Sequence, residues 1–239
     1  MAIPLKKWTV LPHGRLTPVE ENIRTVVGEI KMPIGGMHRR MTVVRLRDRR
    51  LVIFSAIALD EDEMQELEAF GTPAFLIVPN DHHRFDAKIW KDRYPAIKVV
   101  TPAGAREKVE KAVAVDATSV DFEDPAVALI IVPGTREHEA ALEITGASGT
   151  TLVVNDIIGN IRDASGFGGW LLRIMGFAGD EPHVPLPVQA AIVADKAALA
   201  GQLKQWAELR SLKRIIVSHG ETIEHDPRGA LTALAATLS

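Results

Sequence analysis

Four side chains that could bind a metal ion come shortly after apolar runs of the sequence. They are two imidazoles behind the first run, a carboxylate behind the second and an imidazole behind the third: His82, His83, Asp156 and His219. Short apolar runs rich in β-branched residues predict strands, and a side chain at a strand end is held by the sheet while still reaching solvent. Imidazole and carboxylate groups suit zinc, iron or manganese. Adjacent histidines are also typical of solvated turns that hydrogen-bond locally, so both interpretations stay open here.

Composition narrows the classes of function for this chain. Its 239 residues include no cysteine, which excludes disulfides, thiolate ligands and a cysteine nucleophile. The net charge of -3 supplies no long-range attraction for nucleic acid or anionic lipid, and no run approaches the ~20 apolar residues needed to cross a bilayer. We therefore expect a soluble cytoplasmic protein with a small-molecule substrate or ligand and no nucleic-acid or membrane partner. The oligomeric state has no signal in the sequence.

The first half of the chain contains the pattern of an antiparallel strand pair followed by an α/β unit. Alternating or β-branched residues predict strands over 22–30, 41–46 and 51–54, the last two joined as a hairpin. Asp60 has the position of an N-cap for a helix that ends at Gly71. Strands and helices then alternate, with a strand from Pro73, a helix over 85–90, a strand over 97–101 and a helix over 103–114.

The second half has a similar pattern, again with a hairpin and helices. Its predicted elements are a strand over 127–132, a hairpin of 137–144 with 150–154, one long helix over 188–209, a strand over 214–217 and a helix from Pro227. Two halves of this kind favour an α/β (α+β) fold built as a four-layer αββα sandwich over a doubly wound parallel sheet. We expect residues 1–239 to form a single domain.

Three motifs and the order of the elements resemble the metallo-β-lactamase fold superfamily. The motifs read PNDHH, VNDIIGN and IIVSHG, at residues 79–83, 154–160 and 215–220. The sequence is most similar to a divergent branch of β-lactamase-like proteins of unknown function, in which a hairpin like MTVVRLRDRRLVIFSAI precedes an HH…W motif. The resemblance covers residues 23–235. It implies a metallo-β-lactamase-like sandwich and metal-dependent hydrolysis.

The resemblance also implies which metal ligands this chain keeps. Active members carry H-x-H-x-D-H, and over residues 78–83 this pattern places Val78 and Asn80 at the first two histidines. Thr135 stands where a further histidine follows a Pro-Gly pair, so the first of the two family metal sites lacks its ligands. The second is implied to survive with three imidazoles and one carboxylate: His82, His83, Asp156 and His219. One divalent ion, either zinc, iron or manganese, would bind there.

Two carboxylates, Asp81 and Asp156, are the predicted catalytic residues. Asp156 matches the bridging aspartate of the family, and Asp81 is the one carboxylate inside the first motif that could act as a ligand or base. Neighbouring side chains of a strand point to opposite faces, so Asp81 and His82 can serve one ion only where a turn has begun. An early aspartate of the family is replaced within residues 54–56, which predicts that a support for the ligands is lost.

Three functions stay open. The first is a hydrolase with one metal ion, acting on an ester, thioester or phosphoester. The second is a metal-free pseudoenzyme that keeps the fold as a small-ligand or protein-binding module. The third is a doubly wound nucleotide-binding protein that uses a G-x-G-G run at Gly166, Gly168 and Gly169, although a dinucleotide site needs a strand immediately before such a run.

Overall fold

A computed structural model describes residues 3–32, 35–162, 173, 176 and 178–238. The chain forms two compact units, residues 1–30 with 38–125 and residues 31–37 with 126–239. The glycine run from Gly166 to Gly169 lies outside the described residues. So does most of the apolar stretch 170–177, for which the sequence predicts a helix. That the whole chain acts as a single domain stays a prediction.

Six strands form one sheet, which lies mostly in the first unit: β1 (Thr17–Glu20), β2 (Ile23–Met32), β3 (Gly35–Arg45), β4 (Arg50–Phe54), β5 (Thr72–Ile77) and β6 (Lys98–Val100). They lie in chain order across the sheet. β3 and β4 pair antiparallel, as the hairpin pattern predicts, whereas β4, β5 and β6 are parallel. Because Phe54 pairs with Ile77, the residues that follow β4 and β5 leave the sheet side by side.

Short helices cover this sheet: α1 (Glu61–Phe70), α2 (Ala87–Arg93), a 3₁₀ turn (Ala103–Ala105) and α3 (Arg106–Glu110). Asp60 caps α1 as predicted, since its carboxylate accepts a hydrogen bond from the Glu63 N–H. The helix predicted over 103–114 is wrong in length. It ends early because the chain turns at Lys111, where the N–H groups of Ala112 and Val113 both donate to the carbonyl of Val109.

Four strands form the mixed sheet of the second unit: β7 (Val127–Ile131), β8 (Ala140–Gly146), β9 (Gly149–Val154) and β10 (Leu212–Val217). Their order is β10-β9-β8-β7, with β10 parallel to β9 and the other pairs antiparallel. Val154 and Val217 are register partners at the carboxyl ends of two parallel neighbours. The residues that follow them therefore emerge at the same edge of the sheet.

The helices of the second unit, in the described part of the chain, are α4 (Leu186–Ala191), α5 (Lys196–Ala207) and α6 (Pro227–Thr237). The single helix predicted over 188–209 is wrong, because the chain breaks between α4 and α5. There the N–H groups of Ala194 and Asp195 donate to the carbonyl of Gly134, and the Asp195 carboxylate caps α5 through the Ala198 N–H. α6 begins at Pro227 as predicted, capped by Asp226.

Among the described residues, no helix combines the length and hydropathy needed to span a bilayer.

Candidate metal centre

Asp156 and His219 lie together at the edge where β9 and β10 end. The Ser218 N–H donates to the carbonyl of Val154, which continues the parallel pairing beyond the strands. Nε2 of His219 lies 3.2 Å from Oδ1 of Asp156, and the two side chains are 18% and 13% exposed. An imidazole and a carboxylate that meet at a partly open strand edge can bind a metal ion or hold a proton between them.

A buried carboxylate that the sequence did not single out supports Asp156. Oε1 of Glu139 accepts a hydrogen bond from the Asp156 N–H at 2.8 Å, and Glu139 is fully buried. In the sequence Glu139 stands between the polar residues Arg136–His138 and the apolar start of β8, so nothing in the local pattern marks it as buried. Glu139 thereby fixes the backbone from which the Asp156 side chain projects.

The backbone of His219 is held by the end of the VNDIIGN motif. The Asn160 N–H donates to the His219 carbonyl at 3.1 Å, and the Asn160 carbonyl accepts from the Glu221 N–H at 3.0 Å. Between them Gly220 has φ 106°, and a Cβ there would lie 2.1 Å from the Asn160 carbonyl oxygen. Only glycine fits this close approach. The VNDIIGN and IIVSHG motifs therefore contact each other directly through Asn160 and Gly220.

In the first unit, a tight turn after β5 carries His82 and His83. Oδ1 of Asn80 accepts hydrogen bonds from the N–H groups of His82 and His83, at 2.9 and 3.2 Å, and Asn80 is fully buried. This is an Asx turn, in which a side chain replaces the next backbone acceptor of the strand. The turn has therefore begun at Asp81, which is the condition under which Asp81 and His82 could bind one ion.

Ser55, directly after β4, reaches the imidazole of His83. Its Oγ lies 2.7 Å from Nδ1 of His83, and Ser55 is 2% exposed. Ser55 lies within residues 54–56, where the metallo-β-lactamase fold superfamily that the sequence resembles has an early aspartate. A polar support for His83 is thus present at this position, supplied by a hydroxyl in place of a carboxylate.

The carboxylate of Asp81 lies close to two basic side chains. Nζ of Lys108 lies 2.7 Å from Oδ2, Nδ1 of His82 lies 3.7 Å from Oδ1, and Asp81 is 2% exposed. Burial raises the pKa of the Asp81 carboxyl, but the hydrogen bond from Lys108 and the charges of His82 and Lys108 together hold that pKa below its ordinary value. Asp81 is therefore held as an anion. His82 is more open, with 43% of its side chain exposed.

The three residues that stand in place of family histidines make structural contacts of their own. Val78 is in the apolar core of the first unit, and Asn80 closes the turn described above. Thr135 is fully buried, and its hydroxyl donates to the Val132 carbonyl at 2.6 Å. In the second unit Asp156 and His219 offer a carboxylate and an imidazole to a metal ion, and in the first unit His83 is a further candidate imidazole ligand.

Comparison with solved structures identifies the fold. No protein-family model matches the sequence, and no curated protein matches it at a significant level. The metallo-β-lactamase FIM-1 from Pseudomonas aeruginosa, in a mono-zinc form, is 12% identical with a TM-score of 0.63 over 95% of this chain and 96% of that one. The metallo-β-lactamase DIM-1, exposed to ceftazidime, is 14% identical with a TM-score of 0.63 over 97% of this chain and 100% of that one. A metallo-β-lactamase from Hirschia baltica is 10% identical with a TM-score of 0.61, over 94% and 98%.

At these identities the similarity shows the fold alone. The chain has an α/β metallo-β-lactamase-like sandwich fold, with two mixed sheets and flanking helices. The predicted four-layer αββα fold class is confirmed, and the doubly wound parallel sheet of the nucleotide-binding alternative is not what the chain forms.

Proposed function

We propose that this chain binds one divalent metal ion through His83, Asp156 and His219 and hydrolyses a small-molecule ester, thioester or phosphoester. The observation that carries the proposal is the contact between Nε2 of His219 and Oδ1 of Asp156 at the ends of paired strands. The fold supports it as well, since one of the similar structures is a metallo-β-lactamase in a mono-zinc form. Zinc, iron and manganese all suit this ligand set.

The residues of the proposed site have chemically distinct tasks. Three protein ligands leave a coordination position open, and a metal ion bound there would lower the pKa of a water molecule towards ~7. Asp156 supplies negative charge from a backbone that Glu139 holds. His82 is a fourth candidate ligand, exposed enough to turn towards an ion. Asp81, as an anion paired with Lys108, is better suited to fixing the position of His82 than to accepting a proton.

A metal-free binding module is the second candidate function. Three residues that stand where active family members carry histidines favour this function. Val78, Asn80 and Thr135 all make buried structural contacts instead of binding a metal ion. The replacement of the family histidines at these three positions also supports placing the chain in a divergent branch of β-lactamase-like proteins. A cytoplasmic location is part of the proposal, and the absence of cysteine from the sequence supports it.

Metal analysis of protein purified without a histidine tag tests the proposal. We expect about one equivalent of zinc, iron or manganese by elemental analysis, and a saturable titration after the protein is stripped with chelator. His83→Ala, Asp156→Ala and His219→Ala should each weaken binding by more than the ~10–100-fold typical of supporting residues. His138→Ala is a matched control, because the His138 imidazole contacts the Arg136 carbonyl instead of the proposed ligands.

The hydrolase part has its own readout. Metal-loaded protein would be assayed against chromogenic esters, thioesters and phosphoesters, with the Asp156→Ala variant as a blank. Turnover that depends on Asp156 supports the hydrolase. Stoichiometric metal without turnover of any of the three classes would favour the binding module, and a wild type without metal affinity would reject the metal site.

A further inference from the structure

Ser55 has a backbone conformation that serine seldom adopts. Its φ is 58°, in the left-handed region, where glycine, asparagine and aspartate are the usual residues. The conformation is held from both sides, because Phe54 pairs with Ile77 in the sheet and the Ser55 N–H donates to the Ile77 carbonyl at 3.1 Å. The side chain is therefore aimed by the end of the sheet and has little freedom of its own.

The direction of that side chain is towards His83. The Oγ to Nδ1 distance of 2.7 Å is within the range of an ordinary hydrogen bond, and the contact is buried on the Ser55 side because Ser55 is 2% exposed. His83 is also held through its N–H by Asn80. The backbone of His83 is thus held by the turn at Asn80, and Nδ1 of its ring is held by Ser55.

The chemistry of the two groups determines what this contact can do. A neutral imidazole carries a proton on one ring nitrogen, and the nitrogen without the proton is the one that can bind a metal ion. A hydroxyl can donate to an unprotonated Nδ1 or accept a hydrogen bond from Nδ1–H, and in the second case it leaves Nε2 free of a proton without adding the negative charge that a carboxylate would bring. Partners of this kind on the far nitrogen set the tautomer of metal-binding histidines.

We propose that Ser55 is a positioning residue that holds His83 as the tautomer protonated on Nδ1, so that Nε2 is its metal-binding nitrogen. The contact that orients the ring lies in the first unit, whereas the choice of tautomer and its consequence for metal affinity rest on the proposed metal site, where Nε2 must be unprotonated to bind an ion. Ser55 does not touch the ion in this arrangement. It acts through the orientation and protonation pattern of His83.

The test compares variants that separate the hydroxyl from the backbone conformation. Ser55→Gly removes the hydroxyl and adopts a positive φ without strain, so it is the cleaner deletion, and Ser55→Ala is the second. Ser55→Asn restores an acceptor in a residue that tolerates this conformation. Ser211→Ala is the control, because the Ser211 hydroxyl contacts Thr150 at 2.8 Å and not His83.

The first readout is the tautomer of His83 in the metal-free protein, measured by long-range nitrogen–proton NMR at pH of about 8, where imidazole is neutral. A His83→Gln spectrum identifies its signals. We expect the Nδ1–H form to dominate in the wild type and the Ser211→Ala control, and the Nε2–H form to rise in Ser55→Gly and Ser55→Ala. An unchanged His83 tautomer in a folded Ser55→Gly variant would overturn the proposal.

The second readout is zinc affinity in a competition with a chelator. We expect a loss of ~10–100-fold in Ser55→Gly, recovered in part by Ser55→Asn. If the tautomer shifts but the wild type binds no zinc, the metal site fails while the role of Ser55 for His83 stands. If zinc binds and the tautomer of Ser55→Gly does not shift, the role of Ser55 fails while the metal site stands.

Discussion

Nε2 of His219 and Oδ1 of Asp156 lie 3.2 Å apart at the ends of two parallel neighbouring strands. A metal ion that binds this pair in the folded chain stabilises it by RT ln(1 + [L]/Kd), about 2.7 kcal/mol at a concentration 100-fold above Kd. We expect zinc to raise the melting temperature and chelator to lower it, and Asp156→Asn to abolish the difference. Equal melting temperatures in zinc and chelator would instead support the metal-free binding module.

The pair of Asp81 and Lys108 predicts an asymmetry between two lysines that are three residues apart. Lys108→Met leaves the buried Asp81 carboxylate without its main partner, which should lower the free energy of unfolding by ~1–3 kcal/mol, a range reduced because Lys108 is half exposed. Lys111→Met removes only an exposed pair with Glu107 and should cost under ~0.5 kcal/mol. Urea unfolding measures both, and similar losses would contradict the structural role of Asp81.

Two glycines should respond in opposite directions to alanine. At Gly220 an added Cβ would meet the Asn160 carbonyl at 2.1 Å with φ at 106°, so Gly220→Ala should destabilise the fold and displace His219. At Gly201, an exposed position within α5, a Cβ meets nothing within 4 Å. Gly201→Ala should therefore raise the free energy of unfolding by ~0.5–1 kcal/mol. Thermal unfolding of the two variants against the wild type checks the signs.

Tyr94 is the one tyrosine of the sequence, which makes its ionisation directly visible. Partial burial and the hydrogen bond that its hydroxyl donates to Glu68, at 2.5 Å, raise its pKa well above the ordinary value of about 10. The protonated form is favoured by folding, so its contribution to stability is complete below pH ~10 and is lost as pH rises through the folded pKa.

The ultraviolet absorbance of tyrosinate should therefore develop only at higher pH in the folded protein than in urea-unfolded protein. Glu68→Gln removes the negative charge beside the hydroxyl and should bring the transition down, although burial keeps it above the ordinary value. Coincident titrations of folded and unfolded protein would show that Tyr94 lacks this environment.

Two buried asparagines should differ in their contribution to stability. Asn155 is fully buried, and neither its amide oxygen nor its amide nitrogen has a hydrogen-bond partner among the residues that the structure describes. Asn155→Leu removes two unpaired polar atoms and should raise the free energy of unfolding by ~1–2 kcal/mol. Asn80→Leu removes the side-chain acceptor of the His82 and His83 N–H groups, although the His83 N–H keeps the residue 80 carbonyl, and should lower the free energy of unfolding by ~1–3 kcal/mol. A loss in both variants would indicate a buried water on Asn155.

Local chemistry in the sequence was sufficient for most of the strands and for the starts of two helices. Alternating and β-branched residues located the strands that end before His82, Asp156 and His219, and Asp60 and Pro227 mark the starts of α1 and α6. These features depend on neighbours within a few positions along the chain, which is why spacing and side-chain type reveal them. The fold class followed from their order, and the solved structures confirm it.

The tertiary structure decided the contacts between residues far apart in sequence. Gly134 draws the N–H groups of Ala194 and Asp195 away from a helix that periodicity alone would continue. Lys108 engages Asp81 from 27 residues away, and Ser55 reaches His83 across 28. Such pairs are selected by strand pairing and by the need to satisfy buried polar groups, and neither is encoded in local spacing. The sequence by itself therefore determined which residues could bind a metal ion, and only the fold decided which of them are supported.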